Sequence, residues 1–130
     1  MLFTLVINTA PISLHNGQAH SALLFAKTLI AQKHSIHRLF FYGEGIQNLN
    51  AQALPPQGEA DLCQQWQAFI NAHQLDAVVC IAAAIRRGVF DTTEANRHQR
   101  SAALAEGVSL SGLGQLIEAT TTSDRTITFG

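Results

Sequence analysis

Short apolar runs alternate with longer segments of helical periodicity along this chain, and that alternation restricts the fold more than any other feature. Phe3–Asn8 is a continuous apolar run, the signature of a strand buried on both faces. A loop rich in Pro, Ser, Asn and Gly follows at Thr9–Gly17. From Ala19 to Lys33, Ala22, Leu23, Ala26, Leu29 and Ile30 recur at helical spacing. Ile36–Tyr42 reads as a second strand, and a Pro-Pro-Gln-Gly break stands at positions 55–58. Asp61–His73 carries Leu62, Trp66, Phe69, Ile70 and His73 on one face, predicting a second helix. Ala77–Ile81 is a third strand, and the compact Ala82–Ile85 stretch predicts a short helix closed by Gly88.

Asp91-Thr-Thr-Glu94 has capping-box spacing, with the Asp91 side chain accepting from the Glu94 amide while Glu94 folds back. A helix is expected from about Thr92 to Ala105, then a short strand at Val108–Leu110, a helix over Gly112–Thr121 and a closing strand at Thr126–Phe129. Strands alternating with helices argue for βαβ units and a parallel sheet covered on both faces. The expectation is one α/β domain over residues 1–130: three layers, α/β/α, a mostly parallel sheet of about five strands and a flavodoxin-like architecture.

Length and composition agree with one core. A chain of 130 residues buries roughly two-thirds of its unfolded surface, enough to fold without metal or disulfide support. Only 13% of its residues are charged, against about 25% in typical soluble domains, which hints at surface covered by partner subunits. The formal net charge of −1 provides no large electrostatic footprint for nucleic acid. The N-terminal MLFTLVI lacks a basic region and a cleavage site, so it reads as a first strand and not a signal peptide. No apolar run approaches the ~18 residues needed to span a bilayer. Two cysteines, Cys63 and Cys80, without an export signal, point to reduced thiols in the cytosol.

Candidate chemistry concentrates in residues 78–88, VVCIAAAIRRG. In open parallel sheets, reactive groups gather beyond the carboxyl ends of the strands, and Cys80 lies near the end of the third. Backbone amides at the following turn, with Arg86 and Arg87 nearby, would stabilise a thiolate; an ordinary cysteine is only roughly 3% ionised at neutral pH. The same residue would equally suit a packed, inert core position, and residue types alone leave both readings open. Cys63 aligns with Trp66 and Ile70 on the flank of a buried helical face, which points to packing. His34-Ser-Ile-His37 straddles a helix end and a strand start and has no third ligand at metal spacing, so no metal site is expected. His15 and His20 sit in or near the first βα loop, where they could border a site. Gly107-Val-Ser109-Leu-Ser111 lacks the last glycine of a nucleophile elbow. Gly112-Leu-Gly114 meets Ile117 where a dinucleotide fingerprint needs glycine.

The blocks Cys80-Ile-Ala-Ala-Ala-Ile-Arg-Arg-Gly88 and Asp91-x-x-Glu94-Ala95 resemble the TusD/DsrE family of sulfur-relay subunits. So do Phe40-Phe-Tyr-x-x-Gly45 with Asn48, and Ser111-Gly-Leu-Gly114 with Glu118-Ala119 and Asp124-Arg125. The resemblance implies a cytoplasmic sulfurtransferase with Cys80 as persulfide carrier and no metal or organic cofactor, assembled with TusB- and TusC-like subunits in a heterohexamer. A TusA-like protein would donate the sulfur and a TusE-like protein accept it, for 2-thiolation of the tRNA wobble uridine, with no direct grip on tRNA. Arg86 and Arg87 would either hold the sulfur anion or pair with neighbouring subunits. Dissimilatory sulfur oxidation by the same chemistry, a non-catalytic scaffold subunit and a flavin- or nucleotide-binding module are the alternatives.

Overall fold

A computed structural model describes residues 1–11 and 17–130. Five strands form one parallel sheet: β1 (Leu2–Ile7), β2 (Ser35–Phe41), β3 (Ala77–Cys80), β4 (Ser109–Ser111) and β5 (Arg125–Phe129), in the order β4-β3-β2-β1-β5. The α/β architecture expected from the alternation is therefore the observed one. The central strands β1, β2 and β3 carry the apolar runs, because a strand with helices on both faces has no solvated side. The edge strands β4 and β5 are largely exposed or half-buried.

The helices are α1 (Gln18–Ala31), α2 (Leu62–His73), α3 (Ile81–Arg86), α4 (Thr92–His98) and α5 (Gly114–Thr122), with a 3-10 helix at Gly43–Leu49. Crossovers between parallel strands are right-handed, so steps from β1 to β4 in one direction put their helices on one face. The return from β4 to β5 puts α5 on the other. Side-chain contacts agree. Phe25 of α1 packs edge-on against Phe3, and Trp66 of α2 against Phe41 with ring centroids 5.2 Å apart. On the opposite face, Arg38 reaches α5 and Thr4 shares a 2.5 Å hydrogen bond with Ser123 beyond the end of α5.

Arg38 is a buried charge beneath α5. Its Nε and Nη2 both donate to Asp76 Oδ2, at 3.0 and 2.7 Å, and its Nη1 donates to Glu118 Oε2 at 2.6 Å and to the Gln115 carbonyl at 2.8 Å. His37 Nε2 meets the same Glu118 oxygen at 3.1 Å, and Thr122 donates to the other at 2.7 Å. These bonds, together with the buried Ala119, pin α5 to the sheet. They hold Glu118 at a pKa of about 2, with the Thr122 hydrogen bond the largest cause, followed by the bond from His37.

Two expectations need correction. The helix predicted to run to Ala105 stops at His98, because Gln99 turns left-handed (φ 56°) and the Arg100 amide closes on the Ala95 carbonyl at 2.8 Å. Residues beyond it run extended, with Ala102 bridging Phe90 and Leu104 bridging Asn50. In this extended segment Ala103 and Ala105 are buried. The capping box is also only half made. Asp91 Oδ1 accepts from the Glu94 amide at 2.8 Å, but the Glu94 carboxylate turns to Arg97 and His98. The 3-10 helix was not anticipated at all.

Candidate functional site

Cys80 is the last residue of β3 and the N-cap of α3, with extended backbone (φ −62°, ψ 119°). Its neighbours follow from register: Val78, Val79 and Cys80 pair with Ser109, Leu110 and Ser111 of the edge strand. The thiol is free and 3% exposed, and it makes no capping hydrogen bond to α3. Cys80 thus stands at the carboxyl edge of the sheet, where the chain leaves a buried strand and turns at once into a helix.

That turn is dictated by composition. Alanine carries the strongest helix preference, and small side chains let α3 lie close to the sheet, with Ala83 and Ala84 buried. The helix ends in a Schellman arrangement: Gly88 takes φ +72°, its amide reaches the Ile85 carbonyl at 3.2 Å, and the Val89 amide reaches the Ala84 carbonyl at 3.0 Å. A fully buried Val89 anchors the far side.

The two arginines part company. Arg87 Nε donates to Glu44 Oε1 of the 3-10 helix at 2.7 Å, and its Nη1 donates to the Ala83 carbonyl at 3.1 Å. Arg86 is exposed and forms no ion pair among the described residues. Glu44, which sequence reading did not single out, is the counter-charge of the site. Its only signal was an acid in a Gly-Glu-Gly turn elsewhere in a chain that pairs two arginines.

The 3-10 helix that carries Glu44 is itself fixed on the end of β1. Tyr42 N donates to the Ile7 carbonyl at 3.0 Å, and Gly45 passes so close that a β-carbon there would sit 2.6 Å from the Ile7 carbonyl carbon. Fully buried Asn48 donates through Nδ2 to the carbonyls of Thr9 and Gly45, at 2.9 and 2.8 Å. Ile46 and Leu49 fill the core beneath.

Cys63 behaves as a packed thiol. It is 8% exposed on α2, and burial, with Asp61 adding to it, pushes its pKa up to about 11. It borders a surface cavity of about 410 Å³ with Leu54, Pro55 and Leu62, in whose lining Cys80 takes no part. The histidines considered as ligands are dispersed. His34 Nδ1 lies 3.2 Å from the N-terminal amine, His37 engages Glu118, and His20 lies half-buried on α1. His15 lies outside the described residues.

Comparison with known proteins places this geometry in context. The chain is 45% identical over 117 residues to a sulfurtransferase TusD homolog of Pseudomonas aeruginosa, covering 89% of each. It is 39% identical over 131 aligned positions to "Putative sulfurtransferase DsrE" of Allochromatium vinosum, covering 100% of this chain and 99% of the other. The crystal structure of the ychN protein from E. coli shares the fold, with a TM-score of 0.77 at 21% identity over 98% of this chain and 97% of that one. The family model for DsrE/DsrF-like proteins matches residues 1–129, and the chain belongs to that family.

Proposed function

We propose that this protein is a sulfurtransferase subunit that carries sulfur as a persulfide on Cys80. The observation that bears most weight is the placement of Cys80 at the carboxyl end of β3, as N-cap of α3, in a chain 45% identical to a sulfurtransferase TusD homolog. The Cys80 thiolate attacks the outer sulfur of a donor persulfide; the donor S–S bond breaks and its inner sulfur leaves as a thiolate. The product is Cys80–S–SH, and a second thiolate removes the outer sulfur by the same exchange. Rates follow the rules of thiol–disulfide exchange: ionisation of the attacker, acidity of the leaving thiol, and access.

In the finer reading, a TusA-like carrier donates and a TusE-like protein accepts. TusB- and TusC-like subunits complete a cytoplasmic heterohexamer, and the sulfur ends at position 2 of the tRNA wobble uridine. The near-neutral charge of the chain suits a relay subunit that never grips tRNA. The full-length likeness to the DsrE protein supports a second reading, the same exchange in dissimilatory sulfur oxidation.

Intact-mass analysis after incubation with a persulfidated carrier protein tests the carrier role. One added sulfur atom mapped to Cys80 is expected, and none in Cys80→Ser. Equal loading of the serine variant refutes Cys80 as the carrier.

A further inference from the structure

Sulfur exchange between two proteins requires their sulfur atoms to meet in line, yet Cys80 is 3% exposed. Some element beside the thiol has to yield, and α3, which begins directly after Cys80, is short and held by few buried side chains. A six-residue helix does not sustain itself. Only Ala83 and Ala84 are buried in α3, while Ala82 and Ile85 face solvent. Segments with little buried apolar surface open at low free-energy cost.

The 3-10 helix, by contrast, is anchored by Gly45 against Ile7, by Asn48, and by Ile46 and Leu49 in the core. Among the described residues, one side-chain ion pair joins α3 to the 3-10 helix. Glu44 accepts from Arg87 Nε, and Arg87 Nη1 grips the Ala83 carbonyl inside α3. The pair lies at the surface, with side chains 61% and 26% exposed, so salt and competing charges weaken it.

We propose that Glu44 is a positioning residue for Cys80: through Arg87 it latches α3 closed over the thiol, and breaking the pair admits a reactant. The proposal rests on Cys80 being the sulfur carrier. A weak, solvent-screened pair suits this role, since a latch has to open during each turnover.

Native alkylation by iodoacetamide, mapped by peptide mass and followed over a range of NaCl concentrations, reads the latch directly. Cys63 serves as the internal reference. At low salt Glu44→Gln is expected to raise the Cys80 rate by up to about fivefold, the range open to an exposed pair. The wild-type rate should climb towards that value with salt, while the rate of Glu44→Gln should stay nearly flat. Cys63 should not respond. Equal Cys80 rates in wild type and Glu44→Gln at all salt concentrations overturn the latch, as does a gap between the two that salt leaves undiminished. Parallel incubation with a persulfide donor separates the two ideas. Sulfur loading with alkylation unmoved by charge overturns the latch alone. Alkylation that follows the charge without any sulfur loading upholds the latch and overturns the carrier assignment.

Discussion

Replacing Gly45 by alanine should cost this protein a large part of its stability, although the change adds one methyl group. The added carbon would lie 2.6 Å from the carbonyl carbon of Ile7 and closer still to its oxygen. Comfortable carbon–carbon contact is about 3.5–4.0 Å, so one side must retreat by about 1 Å. Neither side can do so cheaply. The Ile7 carbonyl accepts the Tyr42 amide at the junction of β1 and β2, and the Gly45 carbonyl accepts from buried Asn48. Moving the 3-10 helix would also lift Ile46 and Leu49 out of the core. Overpacking typically costs about 1–3 kcal/mol, and a clash with main chain at a hydrogen-bonded carbonyl belongs at the top of that range. At about 3–5 °C per kcal/mol for a chain of this size, a loss of about 3 kcal/mol lowers Tm by roughly 9–15 °C.

Thermal unfolding by circular dichroism measures the effect, with Gly114→Ala as the control. Gly114 opens α5 with nothing within 4 Å of its would-be β-carbon, and alanine is the better helix former. That variant should melt at or slightly above the wild-type temperature. A Gly45→Ala protein that melts within about 2 °C of wild type would show that the 3-10 helix does not sit firmly on β1. The anchor assigned to Glu44 would fall with it.

Two further outcomes follow from titrating groups. Glu118 is held near pKa 2 in the folded protein, below its ordinary 4.5, by hydrogen bonds from Thr122, His37 and Arg38. Its contribution to stability is therefore complete above about pH 4.5 and is lost as pH falls towards 2. Urea unfolding across that window should show a steeper acid decline in wild type than in Glu118→Gln; parallel profiles would refute the pairing. Cys63, with its thiol raised to about pKa 11 against an ordinary 9.0, should resist iodoacetamide at pH 8 and destabilise the fold only as pH climbs from 9 towards 11. Rapid alkylation of Cys63 in native protein at pH 8 would contradict its burial.

The class of fold was legible in the chain because buried parallel strands have to be largely apolar, as Leu5–Ile7 and Ala77–Cys80 are, while helices declare themselves by spacing, as around Trp66 and Ile70. The placement of Cys80 at a strand end could be read for the same reason, since secondary structure in this chain follows local pattern. Local pattern failed at the 3-10 helix and beyond His98. There the backbone is shaped by contacts distant in sequence: Gly45 against Ile7, Leu104 against Asn50, and Ala103 hydrogen-bonded to the Phe90 carbonyl.

The same distinction governs the site. Composition by itself put a thiol, three alanines and two arginines in one stretch, and so determined that a cysteine would meet the start of a short, weakly buried helix. Only the tertiary structure decided what the arginines do. Arg87 turns to Glu44, 43 residues away in sequence, and Arg86 to solvent. An ion pair between residues so far apart exists only once β1, β2 and β3 lie side by side and bring their carboxyl ends together. Whether Cys80 is open or covered was likewise beyond local reading, because burial is a property of the layers that close over a residue.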